Sequence, residues 1–386
     1  MTLGPTYGPA RIGLVVSLLA LGYTYLGYPL LVQLLARLRP RPVRRAAIEP
    51  TVSLIIAAYN EEKSLGAKLE NTLELDYPRD RLEIVVASDG STDRTHDIVR
   101  SYAARGVRLF VPERHLGKTG TANAVVPTTS GEVLVFSDAT GRFNRGALRA
   151  LVANFADPAV GAVTGRVAYH YDAGVAARGF AAYQRFVVPQ RKAESRFGSE
   201  TSVSGSIHAI RRASFRPAPP ELSYDMVHPL HVAQAGQRTV YEDAAESLET
   251  ARARAGEEFR TRVRLAVRAY SFLPYLLRGL PRCRDPLYVF QVLSHKVLRW
   301  LSPVLLAVAA AAALLLAPRG GAWLLPAAAL LLLSLAAGLG WVASRLGLSA
   351  RALAAPLFFA TINLAFLVGL AKYLGGARLA GWKTER

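Results

Sequence analysis

Thr51-Val-Ser-Leu-Ile-Ile-Ala-Ala58 is an apolar run without polar alternation, bounded by Pro50 and Asn60. Such a run suits a strand buried on both faces of a sheet. The chain repeats it. Leu82-Glu-Ile-Val-Val-Ala-Ser88 is a second run, Val107-Arg-Leu-Phe-Val111 a third, and Val133 to Phe136 a fourth. Between the first two, Leu65, Leu69 and Leu73 keep helical spacing. Asp89-Gly-Ser-Thr92 reads as a turn, and Asp93 to Ala104 as a helix. Strand and helix in alternation predict an α/β fold whose mainly parallel sheet is covered on both faces. Ligands bind such sheets at the carboxyl ends of the strands. Polar residues gather at those ends: Asn60 and Glu61, Asp89, and Asp138.

Composition sets the frame around this sheet. The 386 residues are 51% hydrophobic, with a mean hydropathy of +0.21, enough for one sizeable domain and a few membrane spans. A single cysteine, Cys283, excludes an internal disulfide framework and a cysteine-only metal site. The formal charge of +19 calls for an anionic partner, phospholipid head groups or nucleotide phosphates. Nucleic acid is disfavoured, because the basic residues crowd membrane-proximal segments instead of forming one tail.

Four apolar runs, at residues 12–36, 301–317, 322–344 and 352–374, approach the roughly 20 residues that a bilayer span needs. The first is too long for a cleavable signal and lacks a small-residue cleavage pattern. Arg37, Arg39, Arg41, Arg44 and Arg45 follow it, so the positive-inside rule holds that side in the cytoplasm. The expectation is an inner-membrane protein with a cytoplasmic loop of residues 40–300. Four spans put the C-terminus outside despite Lys372, Arg378, Lys383 and Arg386; either the last span is interfacial or the first arginine cluster outweighs that tail, and the second reading is the expectation. Before the second run, Phe259, Val263, Ala266, Val267 and Tyr270 share one helical face and arginines fill the rest. That pattern predicts an interfacial amphipathic helix, ended or bent at Pro274; the alternative is a core helix with a solvated basic face.

Each polar cluster has a chemical use and a plainer reading beside it. Asn60 and Glu61 could contact a base or ribose. Asp89 could accept hydrogen bonds from either, or cap a turn. Lys118, in Leu116-Gly-Lys-Thr-Gly120, could meet a diphosphate or the base, or be a solvated lysine; it is not in a Walker loop, because Pro112 stands where that pattern needs its first glycine. Asp138, with an oxygen ligand two residues on at Thr140, suits a divalent cation bridging two phosphates, or caps a turn. Asp225, between Tyr224 and Met226, suits a general base or a helix cap. His228 and His231, three apart and without a visible third ligand, read as packing or surface residues.

Taken in order, Ala58-Tyr-Asn60-Glu61-Glu62, Ser88-Asp89-Gly-Ser-Thr-Asp93, Gly117-Lys118…Ala122-Asn123, Ser137-Asp138-Ala, Gly205-Ser-Ile-His-Ala-Ile-Arg211-Arg212, Tyr224-Asp225 and Lys296-Val-Leu-Arg299-Trp300 resemble the membrane-bound family 2 inverting glycosyltransferases, among them the cellulose, hyaluronan and poly-N-acetylglucosamine synthases. The resemblance covers residues 50–300. It implies a GT-A fold, a nucleotide-sugar donor that is usually UDP-linked, a lipid or glycan acceptor, and Mg2+ or Mn2+. It places Asn60, Glu61, Asp89, Lys118, Asp138, Arg299 and Trp300 on the donor side. It places Gly205, Ser206 and His208 on the acceptor side, Asp138 and Thr140 at the metal, and Asp225 as the base.

Three positions depart from the family pattern. Thr140 stands for the second Asp of D-x-D, Tyr224 for the acidic neighbour of the base, and Lys296 for the Gln that opens the last motif. The implied division is a membrane helix at residues 1–40, a GT-A domain at 41–258, an amphipathic segment at 259–300 and three spans at 301–386. The replaced acids leave one alternative, a donor-binding scaffold without catalysis.

Overall fold

The computed structural model describes residues 7–170, 175–250, 255–348 and 350–378. Among the described residues, eight strands form one sheet: β1 (Val52–Ala58), β2 (Leu82–Ser88), β3 (Val107–Phe110), β4 (Val133–Asp138), β5 (Arg142–Phe143), β6 (Val160–His170), β7 (His208–Arg211) and β8 (Arg238–Thr250). Their order is β3-β2-β1-β4-β7-β6-β8-β5. The four strands read from the sequence run parallel as expected. β7 and β5 run antiparallel to their neighbours, so the sheet is mixed although mostly parallel.

Both faces of the parallel half are dry, which is why its strands lack alternation. Leu54 and Ile56 point into one core with Leu65, Leu69 and Val99, from the helices Leu65–Leu73 and Thr95–Ser101. Ile55 and Val85 point into the other with Val125, Val227 and Ala266, from the helices Gly117–Val125, Tyr224–Gln234 and Ala255–Gly279. Successive side chains of one strand thus serve opposite layers.

Chain order leaves β1 toward β2 on one side and β4 on the other. The carboxyl ends of β1 and β4 therefore frame the crevice where doubly wound sheets bind ligands. Register brings the polar residues together there: Ala57 lies opposite Asp138, and Ala58 opposite Ser88.

Among the described residues, four helices are long and apolar enough to cross a membrane: Gly8–Leu38, Pro286–Arg319, Gly321–Arg345 and Arg351–Leu374. The second begins well before residue 301 and runs through a π-helical turn at Leu293–Val297. Lys296, Arg299 and Trp300 therefore sit inside it. The expected amphipathic helix is Ala255–Gly279, continuous through Pro274. Its apolar face does not look outward. Ala266 packs where a Cβ on Gly369 would stand, and Tyr270 meets Phe366 at 6.0 Å and Tyr373 at 6.2 Å. The helix Arg351–Leu374 buries that face instead, because Gly369 permits close approach.

Candidate active site

Asp138 ends β4 and Asp225 occupies the first turn of the helix Tyr224–Gln234, beyond its N-cap Ser223. Eighty-seven residues separate them in sequence, yet both border one point. A Cβ built on Gly205 would lie 3.0 Å from Lys118 Nζ, 3.8 Å from Asp138 Oδ2 and 3.9 Å from Asp225 Oδ2. The two carboxylates are therefore less than about 8 Å apart, and a side chain at position 205 would fill the space between them.

Lys118 bridges this cluster. Its ammonium pairs with Asp138 Oδ1 and sits over the Tyr224 ring at 5.4 Å. Burial alone would push it down, but Asp138, Tyr224 and Asp225 hold it well above the usual lysine range. The Ser206 hydroxyl donates to Asp138 Oδ2 at 3.4 Å. The Ser223 hydroxyl donates to Asp225 Oδ1, and the Asp225 carbonyl accepts from Val203 N at 2.9 Å. Ser223 holds the N-cap position and engages Oδ1, which leaves Asp225 Oδ2 toward the cleft.

On the β1–β2 side, Asn60 adopts φ +53°, a left-handed conformation that asparagine tolerates better than most residues. Its Oδ1 accepts from Thr92 N at 2.8 Å, so Asn60 ties the first loop to the second. Glu61 is buried, accepts the Ser64 hydroxyl, and has its backbone N–H donated to Thr95. Asp89 is fully buried. Its Oδ1 accepts from Leu116 N and Thr121 Oγ1, both at 2.8 Å, while Oδ2 has the His115 ring 3.0 Å away but no hydrogen-bond donor.

Some expected residues fall elsewhere. His208 is fully buried, stacked on Phe136 at 4.9 Å and 3.3 Å from the His228 ring, so it packs in the core and does not line the cleft as expected. Burial pushes its imidazole down to about 3. His228 and His231 are also buried, as packing residues. Thr140 is exposed on the turn beyond Asp138. Arg299 and Trp300 do not join the aspartates. They line a separate cavity of about 350 Å³, walled by Tyr25, Phe186 and Phe359 and by the cationic Arg262 and Lys296.

The residues present fit a divalent cation. Asp138 offers a carboxylate at the crevice, and Glu249 on β8 brings a second. Glu249 Oε1 is buried without a hydrogen-bond partner, 3.4 Å from the Cβ position of Gly141, three residues past Asp138. Glu249 escaped the sequence reading because nothing in its local pattern links β8 to the turn after β4.

Residues 53–217 match the family described as Glycosyl transferase family 2. Beta-monoglucosyldiacylglycerol synthase of Synechocystis sp. is 37% identical over 123 residues, 31% of this chain and 26% of that protein. Poly-beta-1,6-N-acetyl-D-glucosamine synthase of Staphylococcus aureus is 29% identical over 116 residues, 30% of this chain and 28% of that protein. The match thus spans about a quarter of the length of these curated relatives. Among solved structures, the mannosyltransferase PcManGT from Pyrobaculum calidifontis, in complex with GDP-Man and Mn2+, is similar with a TM-score of 0.74 at 25% identity, covering 95% of this chain and 100% of that one. The mixed, mostly parallel sheet with its crevice at Asp138 is a GT-A-like fold, and the chain carries a glycosyl transferase family 2 domain.

Proposed function

We propose that this chain is an inverting, metal-dependent glycosyltransferase that moves a sugar from a nucleotide-sugar donor to a lipid acceptor at the cytoplasmic face of the membrane. The observation that carries this reading is the convergence of Asp138 and Asp225 on one point beside Gly205. One carboxylate stands at the strand end that receives a diphosphate. The other has a free lobe facing the same space, as a base for single displacement requires.

Asp225 Oδ2 accepts the proton of the acceptor hydroxyl as its oxygen attacks the anomeric carbon; the Ser223 hydroxyl fixes the other carboxylate oxygen. Lys118 exchanges its pairing with Asp138 for the donor's diphosphate. Asp89 Oδ2, buried and lacking a hydrogen-bond donor, accepts from a base or ribose N–H or O–H. Asp138 would hold Mg2+ or Mn2+, which offsets negative charge on the leaving diphosphate when bound. The structure of similar architecture holds GDP-Man and Mn2+, which supports a nucleoside-diphosphate donor and a divalent cation.

The cavity lined by Arg299 and Trp300 supports a lipid acceptor. Its lining interleaves aromatic rings with cations, Arg299 lying 5.7 Å over the Phe186 ring and Arg262 5.4 Å over the Phe358 ring, and its Lys296 donates to Ser202 Oγ at 2.9 Å. Ser202 is three residues from Gly205, at most about 11 Å of fully extended chain. A lipid seated there can offer its head group to Asp225.

The experiment is a screen of the purified chain in detergent against a panel of UDP- and GDP-sugars. Released nucleoside diphosphate is measured, and labelled product is resolved by thin-layer and size-exclusion chromatography with lipid and glycan acceptors. Transfer to a lipid supports the proposal. Nucleotide binding without hydrolysis or transfer would favour a scaffold, and extension into polymer would favour a synthase.

A further inference from the structure

Thr140 leaves the cation site one carboxylate short, and β8 passes close enough to supply it. Gly141 makes this possible: its Cβ position lies 2.4 Å from Ser247 Oγ and 3.4 Å from Glu249 Oε1, so a side chain there would drive β8 away. β5 pairs with β8 at Arg142↔Leu248, which fixes Glu249 beside the turn that follows Asp138. The Ser206 hydroxyl lies near both carboxylates. Ser247 Oγ and Glu249 Oε1 are both buried without hydrogen-bond partners. Buried oxygens without partners cost free energy unless something binds them.

The surroundings suit two carboxylates. Lys68 is buried, donates to the Gly141 carbonyl at 2.6 Å and lies 3.9 Å over the Phe143 ring, which clamps the turn. A cation between the two carboxylates would relieve their mutual repulsion.

We propose that Glu249 is a ligand of the divalent cation together with Asp138, standing in for the carboxylate that Thr140 lacks. This rests on the transferase reading of the cleft. The test is Mn2+ binding to the full chain in detergent, followed by electron paramagnetic resonance with UDP and with GDP. Asp138→Asn is the reference loss, and thermal unfolding reports folding. Glu249→Gln should weaken Mn2+ binding at least about tenfold. Thr140→Asp added to Glu249→Gln should restore most of it, which a merely structural glutamate would not allow. Wild-type affinity in Glu249→Gln, or loss without rescue, would overturn the inference and leave the cleft assignment standing. Wild-type chain that binds no Mn2+ with either nucleotide would overturn both.

A separate set of contacts concerns the helix Arg351–Leu374. Near its start, Ala354 and Phe358 abut Gly179 of the helix Val175–Phe197. At its middle, Phe359 packs on Tyr25 at 5.3 Å. Toward its end, Gly369 faces Ala266, and Tyr373 lies by Tyr270, whose hydroxyl donates to the Trp300 carbonyl at 2.7 Å. Both ends thus touch helices of the arginine-rich domain side. A helix of 24 residues set upright would separate its ends by about 36 Å.

We infer that Arg351–Leu374 lies along the membrane surface, leaving three crossings. The end of this helix then lies on the side of the catalytic domain, and Lys372 and Arg378 satisfy the positive-inside rule. This replaces the expectation of an external C-terminus. Two single cysteines in a Cys283→Ser background, Glu113→Cys and Gly376→Cys, decide it. Both should react with a membrane-impermeant maleimide from the same side of the membrane. Labelling from opposite sides would overturn the inference.

Discussion

Lys118 pairs with Asp138 across the mouth of the crevice, and the Gly205 backbone passes beside that pair. On the proposed reading, this pairing neutralises the carboxylate assigned to the cation until a donor arrives. Lys118→Met should therefore separate two properties. Mn2+ binding without nucleotide should tighten, because Asp138 loses its internal partner. Turnover should fall roughly 10²- to 10³-fold, as expected when one preorganised charge is removed from a transition state. Titration calorimetry and nucleotide-release assays on the same preparation check both directions.

Gly205 should tolerate no side chain in function while tolerating one in folding. The nearest atom to an added Cβ is the mobile end of Lys118 at 3.0 Å, so Gly205→Ala shifts that ammonium without displacing backbone. The thermal midpoint should stay near wild type while turnover drops about ten- to a hundredfold through misplacement of the reacting groups. A matched loss of stability and turnover would argue for a structural role.

Three imidazoles lie buried beneath the cleft. Burial holds His208 down to about 3, His228 well below and His231 below the ordinary histidine value. In the unfolded chain they take up protons near 6.5. Between that pH and the folded values, the unfolded state binds more protons, so stability is complete above about 6.5 and lost on acidification. Thermal unfolding between about pH 7.5 and about pH 5 should show a falling midpoint. His228→Gln should be less stable near neutrality yet less sensitive to acid; an unchanged acid slope would contradict this.

The legible part of the molecule was the part written locally. β1 to β4 lie in a dry double-faced layer, and such strands announce themselves as continuous apolar runs. β7 has four residues and carries His208 and Arg211; β8 carries Glu242, Asp243, Glu246 and Glu249. Their pairing is set by neighbours distant in sequence, so no periodicity marked them. Asp89, Lys118, Asp138 and Asp225 could be named from strand ends and turns. Glu249 could not, because its proximity to Asp138 arises only from the β5–β8 pairing and the space at Gly141. Arg299 and Trp300 were expected at the donor. Their helix begins earlier than its apolar run and directs them to the cavity beside Tyr25 and Phe359 instead.

The most direct test of the cleft is Asp225→Asn. Nucleotide-sugar affinity should remain near wild type, since Asp225 meets the acceptor side, while turnover with saturating donor falls about 10²- to 10⁴-fold. Turnover equal to wild type, in a folded variant that binds donor normally, would contradict the assignment of Asp225 as the base and the single cleft built on it.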